Sequence, residues 1–147
     1  MYHDDQLTLF SAKALAGTAL SDHSIDVGGT QNDPSIGEGL AVVFVVTVAA
    51  DHTTGDETYE LDLVADSNAD LSTATVLLQR VIAAAKLIAG SVHVLPIPPG
   101  ILAGFEFFGI KAVLGGTTPT ITLTAYVTPM DMIQRDSVNF KSGFTIL

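Results

Sequence analysis

Residues 39–50 constrain this chain more than any other stretch. After Gly39 come Leu40, Ala41, Val42, Val43, Phe44, Val45, Val46, Thr47, Val48, Ala49 and Ala50, with a single hydroxyl among the last eleven. β-Branched residues dominate, and no polar positions recur at helical spacing, so the run is predicted to be a strand. Successive side chains of a strand point to opposite faces. Leu40, Val42, Phe44, Val46 and Val48 therefore line one side, and Ala41, Val43, Val45, Thr47 and Ala49 the other. Both sides are apolar, whereas a sandwich strand needs cover on only one. The second face must be closed by another layer of the same chain or by another subunit. The expected subunit interface accordingly comprises Val43, Val45 and Thr47.

The 147 residues amount to one domain, residues 1–147, which on folding would bury roughly 70% of the surface its unfolded chain exposes. A composition 48% hydrophobic is far too apolar for a disordered chain, despite a net charge of −10. Residues 1–79 carry thirteen carboxylates against one lysine, and residues 80–147 carry five basic and three acidic residues. The halves differ in sign, which would let one end of the molecule face an oppositely charged partner unless folding interleaves them. No basic patch is present, so direct nucleic-acid binding is not expected. Cysteine is absent, which removes disulfides and thiolate metal sites. Residues 1–5 lack the pattern of a secretory signal, and the run at 40–50 is too short for a membrane-spanning helix. A protein without membrane contact is expected.

Along the chain, residues 1–20 read as an N-terminal arm, with a short strand at 6–10 and a weak helical turn at 11–16. Residues 23–27 alternate as a strand, and 30–38 form a loop. Tyr59, Leu61, Leu63 and Ala65 alternate with Thr58, Glu60, Asp62 and Val64, which predicts a half-buried strand paired with 40–50 through the short turn at 51–56. Residues 73–89 suit two structures, since Leu77, Val81, Ala85 and Ile88 fit one helical face while 73–78 suit a strand; strand is favoured, followed by a short helical or irregular link through 83–86, and 91–95 read as a strand ended by the prolines at 96, 98 and 99. A long strand over 101–114, with a bulge near Phe108 and Gly109, should join the strand at 120–127 by a hairpin at 115–119. Residues 129–147 are expected to be a C-terminal tail. Seven or so short strands with turns between them define an all-β fold, an antiparallel β-sandwich of jelly-roll type with extended N- and C-terminal arms.

The usual catalytic signatures are missing. There is no Gly-x-Ser-x-Gly elbow, His-Glu-x-x-His pair or phosphate-binding loop. His3, His23, His52 and His93 read as surface residues, His93 on the solvent side of its strand. Asp66, Asn68 and Asp70 open like a calcium loop, yet Leu71 and Leu77 stand where an EF-hand needs Gly and Glu, so a solvated loop is expected. The wider acidic cluster of Asp51, Asp56, Glu57, Glu60, Asp62, Asp66 and Asp70 reads as a solvated face or as a surface for a basic partner protein. No cofactor, metal or catalytic residue is implied.

Three segments resemble a known family. Met1, Tyr2, His3, Asp4, Asp5, Gln6, Leu7, Thr8 and Leu9 look like the start of the Bbp16-type capsid cement proteins of tailed bacteriophages. Residues 86–90 leading into the proline turn at 94–100, and residues 113–117 followed by 121–125, add to the likeness and spread it over most of the chain. Where the family usually carries an arginine-rich strand after the proline turn, this chain has Ala103, Gly104, Phe105, Glu106, Phe107 and Phe108. The resemblance implies a non-enzymatic decoration protein, a homotrimer on the outer capsid surface of the virion that contacts the major capsid protein and bridges neighbouring capsomers. Tyr2, His3, Asp4 and Asp5 would then be capsid-docking residues. The rival expectation is a carbohydrate- or receptor-binding sandwich of a phage tail or cell surface, which the lack of tryptophan disfavours. A carboxylate-pair enzyme is a third and minor reading.

Overall fold

The structure, a computed structural model, describes residues 7–29, 34 and 39–133. Nine strands follow one another as β1 (Thr8–Leu15), β2 (Ala19–Leu20), β3 (Ile25–Asp26), β4 (Leu40–Val48), β5 (Thr58–Asp66), β6 (Thr75–Ile82), β7 (Val92–Ile97), β8 (Phe107–Gly115) and β9 (Ile121–Pro129). One sheet has the order β1-β9-β4-β7. The other runs β2-β8-β5-β6, with β3 also on β8. All pairings are antiparallel. With β2 and β3 counted as two pieces of one strand along β8, this is the strand order of a jelly roll. Ser21 bridges the break: its backbone N–H donates to Ile110 O at 2.7 Å, and its Oγ accepts from Ile110 N at 3.2 Å.

The inner faces of the two sheets close on a core that includes Phe10, Phe44, Leu63, Phe108, Ile110 and Leu123, all essentially fully buried. Each such side chain contributes about 1.5–3 kcal/mol through burial. The strand order also interdigitates the two halves of the sequence. In the first sheet β1 and β4 alternate with β9 and β7, so the charge asymmetry of the halves does not become an asymmetry between two ends of the molecule.

Several expectations are corrected. With β2 and β3 taken as one strand, only the connection from β5 to β6 stays within a sheet. The short turn at 51–56 therefore joins β4 to β5 across the sandwich, and 116–120 does the same for β8 and β9; neither is a hairpin. Tyr59 ties these two arches together, its hydroxyl donating to Asp51 O at 2.6 Å and accepting from Thr120 N at 3.2 Å. Gly116, with φ +90°, passes so close to Asp56 that a Cβ would lie 2.4 Å from its carbonyl oxygen. Residues 11–15 are strand, not helical turn. A bulge makes room for Ala12 at φ 42°, and its N–H donates to Thr124 Oγ1 at 2.9 Å. β7 continues through Pro96 because it is an edge strand, where a missing donor disturbs no ladder. β8 begins only at Phe107, and its register with β5 is unbroken; the second sheet's bulge falls between β5 and β6, at Leu63 and Val64. Residues 75–82 are strand and 84–86 a 3₁₀ turn, as expected.

Candidate functional site

Most carboxylates of the acidic cluster are occupied by their own loops. Asp66 Oδ1 accepts from the backbone of Ser67 at 2.7 Å and of Asn68 at 3.3 Å, and Oδ2 from Thr73 N at 2.8 Å, while the Thr73 hydroxyl lies 3.0 Å from both oxygens. Burial alone would raise its pKa, but these donors outweigh it and hold the carboxyl below its ordinary value. The segment that opens like a calcium loop is thus a turn closed on its own aspartate. Asp56 accepts from the Thr54 hydroxyl at 2.7 Å and from the backbone and hydroxyl of Thr117 at 3.1 and 2.9 Å, joining the two arches. Glu57 accepts from the hydroxyl and N–H of Thr54 and from Gly55 N. Asp51 accepts from Thr53 and Asp70 from Ser72. Hydrogen bonds from Thr53 or Thr54, first in each case, lower the pKa of Asp51, Asp56 and Glu57. Among the described residues no group of three or more histidines or carboxylates is placed to hold a metal.

Asp62 departs from this pattern. Strand alternation predicts it outward on a half-exposed face, but it is 2% exposed, and Val64 beside it is fully buried. Beside Val64 the outer face carries a second layer that alternation does not report. Leu71, on the loop after β5, folds back over the outer face, and a Cβ on Gly109 would stand 2.7 Å from its Cδ1 and 2.6 Å from Ser21 Oγ. Gly109, opposite Val64 on β8, is a glycine because these two side chains occupy the space above it. Asp62 itself faces Lys111 on β8 and Gln79 on β6, and its Oδ1 has no hydrogen-bond partner. Burial first, then the neighbouring Glu60 carboxyl, raises its pKa from the ordinary 3.8 to about 6, with Lys111 pulling the other way. Sequence reading grouped Asp62 with the solvated acids; its position inside a strand, away from turn residues, was the one signal that set it apart.

The open edge between the sheets carries the other polar contacts. Arg80, on the inward side of β6, donates from Nη1 to Val94 O on β7 and so links the two sheets. His93 is half-buried beside it, contrary to the expected solvent-facing position, with Nε2 3.1 Å from Ser91 Oγ. Desolvation, and then the Arg80 charge, lower its pKa. His23 and His52 are exposed as expected. The one ion pair among the described residues is Lys13 with Asp22, at 2.9 Å on the surface.

Of the residues expected at a subunit interface, Val43 is fully buried within the single chain, so at that position the second face of β4 is already closed. Val45 is half-buried and Thr47 is exposed, its hydroxyl donating to Thr122 O at 3.1 Å. Val48 is 58% exposed, and a bulge between Val46 and Val48 sets it opposite Thr122, on this face and not on the one that alternation predicts. The open part of this face is therefore the C-terminal end of the strand. Tyr2, His3, Asp4 and Asp5 lie outside the described residues, as do residues 134–147 of the expected tail.

Two closed sheets, loops fastened by their own carboxylates and two partly open sheet faces define a β-sandwich module of structural type. The Bbp16 family model matches residues 9–125, and the chain belongs to this phage-related family. Membership points to a structural role in the virion. No curated protein matches. Two solved structures of infectious bursal disease virus, of the Gx and Gt strains, are similar at 15% and 13% identity, each with a TM-score of 0.39. The matches cover 88% and 82% of this chain, which spans 32% and 30% of the respective viral chains.

Proposed function

We propose that the protein is a capsid decoration protein of a tailed bacteriophage, which binds the outside of the shell as a homotrimer and bridges neighbouring capsomers. Family membership over residues 9–125 carries this reading. In it, the exposed end of β4 at Val45, Thr47 and Val48 forms the subunit contact, with Val43 packed beneath as support, and Tyr2, His3, Asp4 and Asp5 contact the major capsid protein. No active site is required. Each copy adds modest binding energy that exists only on the assembled shell, and many copies together shift the equilibrium against rupture.

The test is co-sedimentation of the purified protein with shells built from the major capsid protein of the same virus, alongside light scattering of the free protein. The reading expects a trimer and saturable binding in a fixed ratio to shell subunits. A monomer that never pellets with shells would overturn it. Deleting residues 1–6 should abolish pelleting while leaving the trimer intact.

A further inference from the structure

The outer face of the second sheet combines three features that the decoration reading leaves unused. The first is the unpartnered Oδ1 of Asp62 at the centre of the sheet. The second is exposed β-branched surface on the strand beside it: Val81, opposite Glu60, is 70% exposed, and Val76, opposite Val64, is 40% exposed. The third is a groove of about 330 Å³ on the same face, lined by Leu20, Val64, Leu71 and Lys111 among others. Lys111 and Val64 are also the neighbours of Asp62, across and along the sheet, so two residues of the groove wall flank the carboxylate, which does not itself line the groove.

We infer that this face is a docking surface for an arginine- or lysine-bearing segment of a partner protein, whose cation meets Asp62 and Glu60 and whose apolar residues cover Val81 and Val76. Charge decides the kind of occupant. The face sets two carboxylates, Glu60 and Asp62, against one cation, Lys111, so a basic segment supplies the charge it lacks, while the −10 of the whole chain opposes the approach of a second copy. A buried carboxylate oxygen without a donor favours any partner that brings one, because the cost of desolvating it has already been incurred by folding. The side chains flanking Asp62 are long. Gln79 is exposed and held only by its 3.0 Å bond to Glu60 Oε1, and it swings aside to admit a guanidinium. Lys111 lies within the field of Asp62 but makes no ion pair with it. Taking the partner to be the shell rests on the decoration reading; the docking face itself does not.

The probe is a capped Arg-Val-Arg-Val-Arg peptide titrated into the full chain and followed by amide chemical shifts. The expected result is saturable change confined to the outer faces of β5, β6 and β8. Asp62→Asn should weaken binding about tenfold, the loss of one charge-assisted hydrogen bond, as should Val81→Arg, which places a repelling charge at an exposed position. Asp131→Asn, in the turn that follows β9 of the other sheet, should change nothing. The groups that face Asp62 are Glu60 on its own strand and Lys111 on β8, with neutral Gln79 on β6. Binding by the wild type should therefore weaken about tenfold from pH 7.5 to pH 5 as Asp62 takes up a proton, and the Asp62→Asn variant should lose most of that dependence. Shifts spread over the acidic loops, equal binding by Asp62→Asn, or self-association through this face would each overturn the inference. No shell is present in the assay. Intact peptide binding without shell binding would thus count against the decoration reading and leave the docking face standing.

Discussion

Asp62→Asn removes a charge that the fold buries without a partner, so the variant should gain stability wherever the wild-type carboxyl is ionised. The displacement from 3.8 to about 6 corresponds to about 3 kcal/mol undiminished, and to about 1 kcal/mol once water near the sheet face screens it. The sign follows from proton counting. Between pH 4 and 6 the folded state holds a proton at Asp62 that the unfolded chain has released, so stability falls as pH rises through this window and the loss is complete above about pH 6. Asp51, Asp56, Glu57 and Asp66 act oppositely. Their lowered pKa values contribute stability above the ordinary carboxylate range that is lost as pH falls through the folded values. His93, also lowered, loses its contribution as pH falls below the ordinary 6.5. Variant and wild type share all of these, so their difference isolates Asp62. Urea unfolding from pH 4 to 8 should show near coincidence at pH 4 and a midpoint about 0.5–2 M higher for the variant above pH 6.5. A variant less stable than wild type at pH 7.5, or a difference independent of pH, would refute the reasoning.

Three further predictions follow from the same contacts. Gly109→Ala should cost about 1–3 kcal/mol in urea unfolding, because its methyl enters the space held by Ser21 Oγ and Leu71. Millimolar calcium should leave the melting temperature unchanged, since both oxygens of Asp66 already accept from their own loop; a clear rise would reinstate an ion site. Val45→Asp should convert the proposed trimer to a monomer by light scattering while the monomer still folds, because Val45 is only half-buried in the single chain. A variant that remains trimeric would remove the β4 end from the interface.

The jelly roll was legible in the sequence because its strands are short, β-branched and separated by turn residues. Partnership between strands was less legible. A short connection such as 51–56 suits a hairpin and an inter-sheet arch equally, and the feature that decides, Tyr59 binding Asp51 and Thr120, is tertiary. β1 was obscured by the bulge at Ala12, where one residue in the left-handed region breaks the period-two pattern. For the candidate site, alternation correctly put Asp62 and Val64 on the outer face, but it does not report what lies over that face, and beside Val64 this is Leu71 and Ser21, which come from elsewhere in the chain. The acids of the loops looked like a single solvated cluster because their partners, backbone N–H groups and nearby threonine hydroxyls, are brought to them only by the turn geometry.

The most direct test of the central claim is an image reconstruction of the virion that carries this protein. The account predicts jelly-roll densities in threefold clusters on the outer surface of the shell, seated across the junctions between capsomers. Density for the sandwich inside the shell, or confined to the tail with the outer surface bare, would contradict it.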